Sequence, residues 1–447
     1  MQAVLRPGQR RATLSQNNSL ILGMGLALFL FQLLANVADG YGIFRDEFYY
    51  LACSQRLAWG YVDHPPLSVF LLALQSSLLG DSLVALRVLP ALFLAGTVLL
   101  SGAMVQQLGG GWRAILLAGV AVMGAPIMLA MGSFYSMNSL DIFLWAAVAY
   151  QLIRLIQAPS PGKWLLLGVL LGLGLLNKVG FLWLGAGLAV GILLSPLRQQ
   201  LRTPYPYLAA ALSMLIFLPF VLWNAAHDFP HLEFMHNAVT YKYAGITRAD
   251  FLGGLLLQLN PLAVLIWLPG LYYLLVHPLG RQYRLLGVVF LVVFLILLLN
   301  GRSKSEYLAP AFPMLLAAGA VWLEARLRKG RGRMLYWALV GGIALSSLLL
   351  APLARPLLPV PTYIAYTSTL GVSQANAEGK ALKELPQFYA DRFGWQELAQ
   401  EVAGVYKALS AEEQALTSVF TQNYGEAGAL EYYADTYSLP PAISGHN

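Results

Sequence analysis

The sequence predicts an all-α polytopic membrane protein of about 11 membrane helices, with interfacial helices in the first extracytoplasmic loop and a small α/β domain at the C-terminal end. Three observations carry this reading. Of 447 residues, 58% are hydrophobic and 11% charged, whereas a soluble globular chain carries roughly 25% charged residues. Too few polar side chains remain to coat a water-facing surface. Second, apolar runs recur through the first 355 residues at lengths that cross, or nearly cross, a ~30 Å hydrocarbon core. Third, the charge balance turns over near residue 355. Residues 1–355 hold 24 Lys/Arg and 11 Asp/Glu, and residues 356–447 hold 4 and 10. That break divides a transmembrane unit, 1–355, from an acidic extracytoplasmic unit, 356–447.

The apolar runs fall at about 19–38, 84–106, 114–131, 139–156, 164–195, 207–224, 251–276, 285–300, 307–325 and 334–354. Arg6, Arg10 and Arg11 ahead of the first run resemble a signal-peptide start. The run to Ala38 is too long for a signal core and lacks a convincing cleavage site, so it reads as an uncleaved first span. The run 164–195 is broken at Asn177-Lys178-Val179-Gly180 and has basic residues at both ends, Lys163 and Arg198/Arg202. Equal flanks require an even number of crossings, which predicts a hairpin of two short helices with Lys178 near its tip.

Lys/Arg bias sets the orientation. With the N-terminus in the cytoplasm, the cytoplasmic loops of 1–355 collect 15 Lys/Arg and the opposite loops and span ends collect nine. The loops 39–83, 225–250 and 301–306 then face away from the cytoplasm, as does the C-terminal unit. A net charge of +7 does not indicate nucleic acid, because the basic residues sit in short clusters between apolar runs. The single cysteine, Cys53, permits no intramolecular disulfide and leaves a non-cytoplasmic location open.

Polar residues gather in the outer loops. The first holds Asp39, Arg45, Asp46, Glu47, Arg56, Asp63 and His64. Its segment 46–58 reads as a short amphipathic helix rich in Tyr and Phe. After Pro65-Pro66 comes an apolar helix, 67–79, too short to span. Short aromatic-rich helices of this kind lie in the membrane interface. In the tail, the pattern predicts a helix at about 394–409, a strand at Ser418–Thr421, and a Gly-rich turn, Asn423 to Gly428, leading into a helix to about Tyr433. Strand, Gly-rich turn and helix suit a phosphate, but they also make an ordinary connection, the commoner case. The end at Ser444-Gly445-His446-Asn447, soon after Pro440-Pro441, leaves room for a continuation.

Four groups could carry chemistry. Asp46 and Glu47, just past the first span, could act as a general base or bind a cation. Arg45 or His64 beside them could hold a lipid phosphate. The plain alternative is interfacial charges that merely pair. Asn138 and Asp141 open a span at the same face. A carboxylate there needs a partner or a task, and helix capping by Asn138 is the plain alternative. Lys178 in its broken hairpin, and Arg87 inside the second span, each call for an anion: a polyprenyl phosphate or a carboxylate. His227, His231 and His236 with Asp228 and Glu233 match no trusted zinc spacing and read as loop polarity. No phosphate-binding P-loop, dinucleotide fingerprint or nucleophile elbow is present.

Taken in order, Asp46-Glu47, His64-Pro65-Pro66-Leu67, Arg87-Val88-Leu89-Pro90, Asn138 with Asp141, Asn177-Lys178-Val179-Gly180 and Ser305-Glu306-Tyr307-Leu308-Ala309-Pro310 resemble the GT-C glycosyltransferases. The resemblance is to the bacterial group similar to protein O-mannosyltransferases and aminoarabinose transferases, and it covers about 1–355. The tail is similar to that of one bacterial branch. The resemblance implies a GT-C fold in the bacterial inner membrane. It implies inverting transfer of a sugar from a polyprenyl-phosphate donor to a periplasmic-side acceptor, whether glycan, lipid or protein. Asp46 would deprotonate the acceptor hydroxyl, and Glu47 would orient the acceptor or a cation. His64 would lie near the donor phosphate, and Lys178 and Arg87 would neutralise it as it leaves. Asn138 and Asp141 would form the acceptor or cation site, with Asn138 standing where many relatives have Asp. The run Arg302 to Glu306 replaces the usual basic residue near Tyr307. A divalent cation is the one cofactor left open, with its ligands unassigned.

A different class of function is a transporter or binding protein for polyprenyl lipid, without chemistry. It predicts inverted repeats and charges at the bilayer midplane. The sequence shows no internal repeat, and its charges gather at one face.

Overall fold

A computed structural model describes residues 7–38, 40–372 and 384–445. Arg6, Asp39, His446 and Asn447, named above, lie outside them. The chain begins with α1 (Pro7–Val37), followed in the first outer loop by α2 (Arg45–Gln55) and α3 (Leu67–Leu79). Asp46 and Glu47 occupy the first turn of α2, where negative charge is favoured by the helix dipole. Pro65-Pro66 sets the start of α3, and Gly80, at φ 74°, ends it. Thus both short helices expected in this loop are present.

Next come α4 (Leu83–Leu86), α5 (Val88–Gln107), α6 (Trp112–Met123), α7 (Pro126–Met131) and α8 (Met137–Gln157). The apolar run 114–131 was expected as one span. It is two short helices, because Gly124 closes α6 and Pro126, lacking an amide hydrogen, opens α7. The run expected as a hairpin follows as two helices, α9 (Pro161–Asn177) and α10 (Phe181–Leu193), with Lys178 in the break between them. After it run α11 (Tyr205–Ala226), α12 (Pro230–Asn237), α13 (Arg248–Gln258) and α14 (Val264–Leu275).

The run 251–276 also differs from a single straight span. It bends by 91° between α13 and the segment Pro261–Leu275. Asn260 makes the corner at φ 74°. Its side-chain amide donates to Ser346 and Ser347 at 2.8 and 3.0 Å, which holds the corner against the last span. The transmembrane part closes with α15 (Arg284–Asn300), α16 (Phe312–Arg326) and α17 (Arg331–Ala354).

Among the described residues, seven helical segments are long and apolar enough to cross a membrane, or up to nine if each of two bent pairs counts as one span. Their outer faces agree with that reading. Leu34 on α1, Leu215 on α11 and Leu348 on α17 are among many large apolar side chains left exposed. In water such a surface would be unfavourable, and against lipid it is not. The chain is a multi-pass membrane protein.

The C-terminal segment adds α18 (Val360–Thr369), α19 (Gln387–Ala390), α20 (Trp395–Lys407), α21 (Ala411–Ala415), β1 (Val419–Thr421), α22 (Tyr424–Tyr432), α23 (Ala434–Tyr437) and β2 (Ala442–Ser444). The two strands pair in parallel, Val419 opposite Ala442. The helix, strand and following helix expected between 394 and 433 all appear. This segment packs directly on the first outer loop. A Cβ on Gly428 would lie 2.9 Å from the backbone of Phe48 in α2, and a Cβ on Gly425 would overlap the Arg45 side chain. Arg392 donates to the Ser133 carbonyl and hydroxyl at 3.2 and 3.0 Å, so a second point of the segment is tied to the loop ahead of α8.

Candidate active site

A cavity of about 830 Å³ opens where the outer loops meet. Its walls bring together Arg45 and Asp46 from α2, Asp63 and Pro65, Asn138 from α8, and Lys178 from the break between α9 and α10. Residues 230–243 and 300–307 complete it, with Tyr424 from the C-terminal segment.

Asp46 is about one-third exposed. The Tyr424 hydroxyl donates to its Oδ1 at 2.9 Å, and Arg45 Nε lies 3.4 Å from the same oxygen. Arg45 also pairs with Asp391 Oδ2 at 3.0 Å. Lys178 projects from the chain break between α9 and α10. Its Nζ donates to Asn138 Oδ1 at 2.7 Å and lies 3.3 Å from Asp141 Oδ2, over the Tyr307 ring. The break is held by Asn177, whose amide donates to the Met137 carbonyl at 2.9 Å. Ser136, not Asn138, caps α8, which leaves the Asn138 side chain to Lys178. Asp46 and Lys178 thus line one space, at opposite signs of charge.

Glu47 and Arg87 take other positions than the sequence suggested. Both side chains are fully buried and paired at 2.8 Å. Glu47 also accepts the backbone amides of Phe44 and Tyr135, each at 2.8 Å. Arg87 donates to the Gly42 carbonyl at 2.9 Å. Neither lines the cavity, so the expected contacts of Arg87 with phosphate and of Glu47 with acceptor are corrected to an internal ion pair. The reason is electrostatic. Each charge is out of water, and each is the other's nearest compensation.

His64 is also buried, stacked flat on Tyr50 at 4.9 Å with Nδ1 3.0 Å from the Pro65 carbonyl. Its Nε2 sits 3.7 Å from Asp63, which lines the cavity and accepts from the Tyr49 hydroxyl at 2.6 Å. His64 therefore backs the wall and does not reach through it.

The loop histidines scatter. His227 Nδ1 meets the Trp223 carbonyl at 2.7 Å and His231 Nδ1 the Val62 carbonyl at 3.0 Å. Burial pushes His231 below its usual range, so it is neutral near pH 7. Among the described residues no three His, Cys, Asp or Glu side chains gather as metal ligands. The acidic pair itself does not form a cation cradle, because Glu47 points away from Asp46 into its pair with Arg87.

The rest of the wall comes from the loops 225–250 and 301–306 and the motif that follows the second of them. Tyr243 and Tyr307 share a hydroxyl contact at 3.2 Å. Lys304 lies over Tyr243 and 3.8 Å from Glu306, and Lys242 and Arg302 stand beside them. The charges of the loops 225–250 and 301–306 and the motif around Tyr307 were the sequence signals for this wall, and Tyr243 carried none. The Gly-rich turn at 423–428 leads into α22, and its Tyr424 lines the cavity. Asn423 caps α22 by accepting the Glu426 amide at 3.0 Å, which uses a free helix-end donor.

Comparison with known proteins gives the same fold. Residues 63–223 match the family described as dolichyl-phosphate-mannose-protein mannosyltransferase. Over 238 residues the chain is 25% identical to the lipid A galacturonosyltransferase RgtD of Rhizobium johnstonii, covering 52% of this chain and 49% of that one. The lipopolysaccharide core galacturonosyltransferase RgtB of the same organism is 26% identical over 250 residues, 56% of this chain and 50% of that one. The chain spans about half the length of the curated relatives it matches. Among solved structures, ArnT from Cupriavidus metallidurans bound to undecaprenyl phosphate superposes with a TM-score of 0.61 at 14% identity, covering 94% of this chain and 88% of that one. In fold, and over part of its sequence, the chain is similar to membrane glycosyltransferases of the ArnT and protein-mannosyltransferase type.

Proposed function

We propose that this chain transfers a sugar, with inversion, from a polyprenyl-phosphate donor to an acceptor hydroxyl on the extracytoplasmic face of the bacterial inner membrane. The observation that carries the reading is the shared cavity: a part-exposed carboxylate, Asp46, and an ammonium, Lys178, face one space in the outer loops. The relatives' names, lipid A and lipopolysaccharide core galacturonosyltransferase, favour an envelope glycolipid as acceptor and a uronic acid among candidate sugars.

The chemistry follows from what each group can do. Asp46 takes the proton of the acceptor hydroxyl as that oxygen bonds to the anomeric carbon. The bond from that carbon to the phosphate oxygen breaks, and the electron pair leaves with the polyprenyl phosphate. The leaving group is already an anion, so it needs positive charge more than it needs a proton. Lys178 supplies that charge, aimed by Asn138 and Asp141. Lys242, Arg302 and Lys304 add cationic character to the neighbouring wall. Glu47 and Arg87 act at a distance by fixing the start of α2 and hence the place of Asp46.

The test is turnover by the purified full chain with a panel of polyprenyl-phosphate sugars, neutral, amino and uronic, and lipid A as acceptor, read as released polyprenyl phosphate. Asp46→Asn is expected to lower turnover by roughly 10²- to 10⁴-fold, the usual worth of a positioned base, while the protein still inserts. Retained turnover in that variant would sink the assignment.

A further inference from the structure

The base of the proposed reaction does not stand on its own loop alone. Its hydrogen-bond donor comes from the C-terminal segment, 378 residues later in the chain. We propose that Tyr424 is a positioning residue for Asp46, and that the turn from β1 into α22 thereby forms part of the active site. The inference rests on the reading of Asp46 as the base.

The local structure is built to place this hydroxyl. Tyr424 is the first residue of α22, and Asn423 caps that helix, so the ring leaves a fixed backbone. The ring packs 5.1 Å from Tyr49 and under the Arg45 guanidinium at 5.4 Å. Two glycines, Gly425 and Gly428, let α22 lie against α2 with no space for a Cβ at either. Backbone against backbone is the stiffest way to hold one element on another, and a site needs its groups held to within about 0.5 Å. Tyr424 also lines the cavity together with Asp46, so the hydroxyl lies on the wall that an acceptor would face.

The consequence for the reaction concerns which oxygen works. The Tyr424 hydroxyl and Arg45 Nε both address Oδ1 of Asp46. With Oδ1 held from two sides, Oδ2 is the oxygen that takes the acceptor proton. A carboxylate left to rotate would present either oxygen, at varied angles, and would lose the alignment that makes proton transfer efficient. A tyrosine that merely attached the C-terminal segment to α2 would affect stability and leave turnover alone.

Tyr424→Phe separates the two roles, because it removes the hydroxyl and keeps the ring contacts. In the donor panel above, kcat is expected to fall roughly tenfold with the donor KM within about twofold and the melting temperature unchanged, the pattern of an interaction made in the transition state. Wild-type kcat in Tyr424→Phe, with Asp46→Asn inactive, overturns the role of Tyr424 and leaves the base assignment standing. A lowered melting temperature with raised KM and unchanged kcat likewise overturns it. Turnover retained in Asp46→Asn, or no release from any donor by the wild-type protein, overturns both readings. Should the Phe variant fail to accumulate, Tyr424→His, which restores a donor, is compared with Tyr424→Leu, which does not. Equal kcat in that pair overturns the proposal.

Discussion

Glu47 and Arg87 show how a residue's neighbours, and not its type, decide its task. The sequence places Glu47 beside Asp46, and adjacent carboxylates invite a shared role. Successive residues of a helix point about 100° apart, however, and α2 turns Glu47 inward while Asp46 faces the cavity. The partner that claims Glu47 lies 40 residues on, across a turn of chain that no local pattern reveals. Removing one member of a buried pair leaves the other charged and uncompensated, at a cost of about 3–5 kcal/mol. Arg87→Met is therefore expected to lower the melting temperature of the detergent-solubilised protein sharply and to reduce its yield. A variant that kept its stability and lost only donor affinity would restore Arg87 to the phosphate. By contrast, the sequence pointed to Asp46 and Lys178 as polar groups at the outer face, because a carboxylate after a span and an ammonium in a broken apolar run have few structural uses, and both line the cavity. Tyr424 was not legible. It differs in no way from the protein's other tyrosines until the fold sets it against Asp46.

At the scale of elements, the break of the run 164–195 at Lys178 was readable because the residues there are polar. The broken runs at 124–126 and 259–260 were not. Hydrophobicity reports whether a segment prefers lipid or the protein interior, and both halves of a bent segment satisfy it. What interrupts them is backbone chemistry: a missing amide hydrogen at Pro126, and at Asn260 a positive φ held by two serines of another helix. The docking of α22 on α2 is of the same kind. It depends on the absence of side chains, which composition does not flag. Gly428→Ala would set a methyl 2.9 Å from the Phe48 backbone, and backbone cannot swing aside as a side-chain tip can. The overpacking is expected to cost about 1–3 kcal/mol and to lower turnover as well, since α22 carries Tyr424. Limited proteolysis checks the first effect: α22 should be released earlier in the variant. Unchanged proteolysis together with unchanged turnover would show that the contact is soft.

The whole molecule has two polar ends, and the separation between them bears on orientation. Asn138 and Gln157 are the near-terminal residues of α8, which has 21 residues and so is about 31 Å long. Asn138 lies at the cavity with Lys178. Gln157 donates to the Gln107 carbonyl and the Tyr283 hydroxyl at 2.8 and 2.9 Å. At this far end the Tyr336 hydroxyl donates to the Arg113 carbonyl at 2.7 Å, and the Gly111 amide to Glu324 at the same distance. The loops that Lys/Arg bias assigns to the cytoplasm are thus joined at one end by their own hydrogen bonds, and the loops assigned outside meet at the cavity. Grouping of this sort fixes which loops share a side. Lys/Arg bias then predicts which side is which. Single cysteines give the check. Burial pushes the native Cys53 thiol up to about 12, so almost none of it is thiolate at neutral pH and it stays silent toward maleimide. Glu412 and Lys329 are both exposed, one in the C-terminal segment and one between α16 and α17. With a membrane-impermeant maleimide, Glu412→Cys should label once the outer face of the inner membrane is reachable, and Lys329→Cys only after that membrane is permeabilised. The opposite order would turn the molecule over and place the Asp46 cavity in the cytoplasm, where an acceptor on the outer face could not reach it.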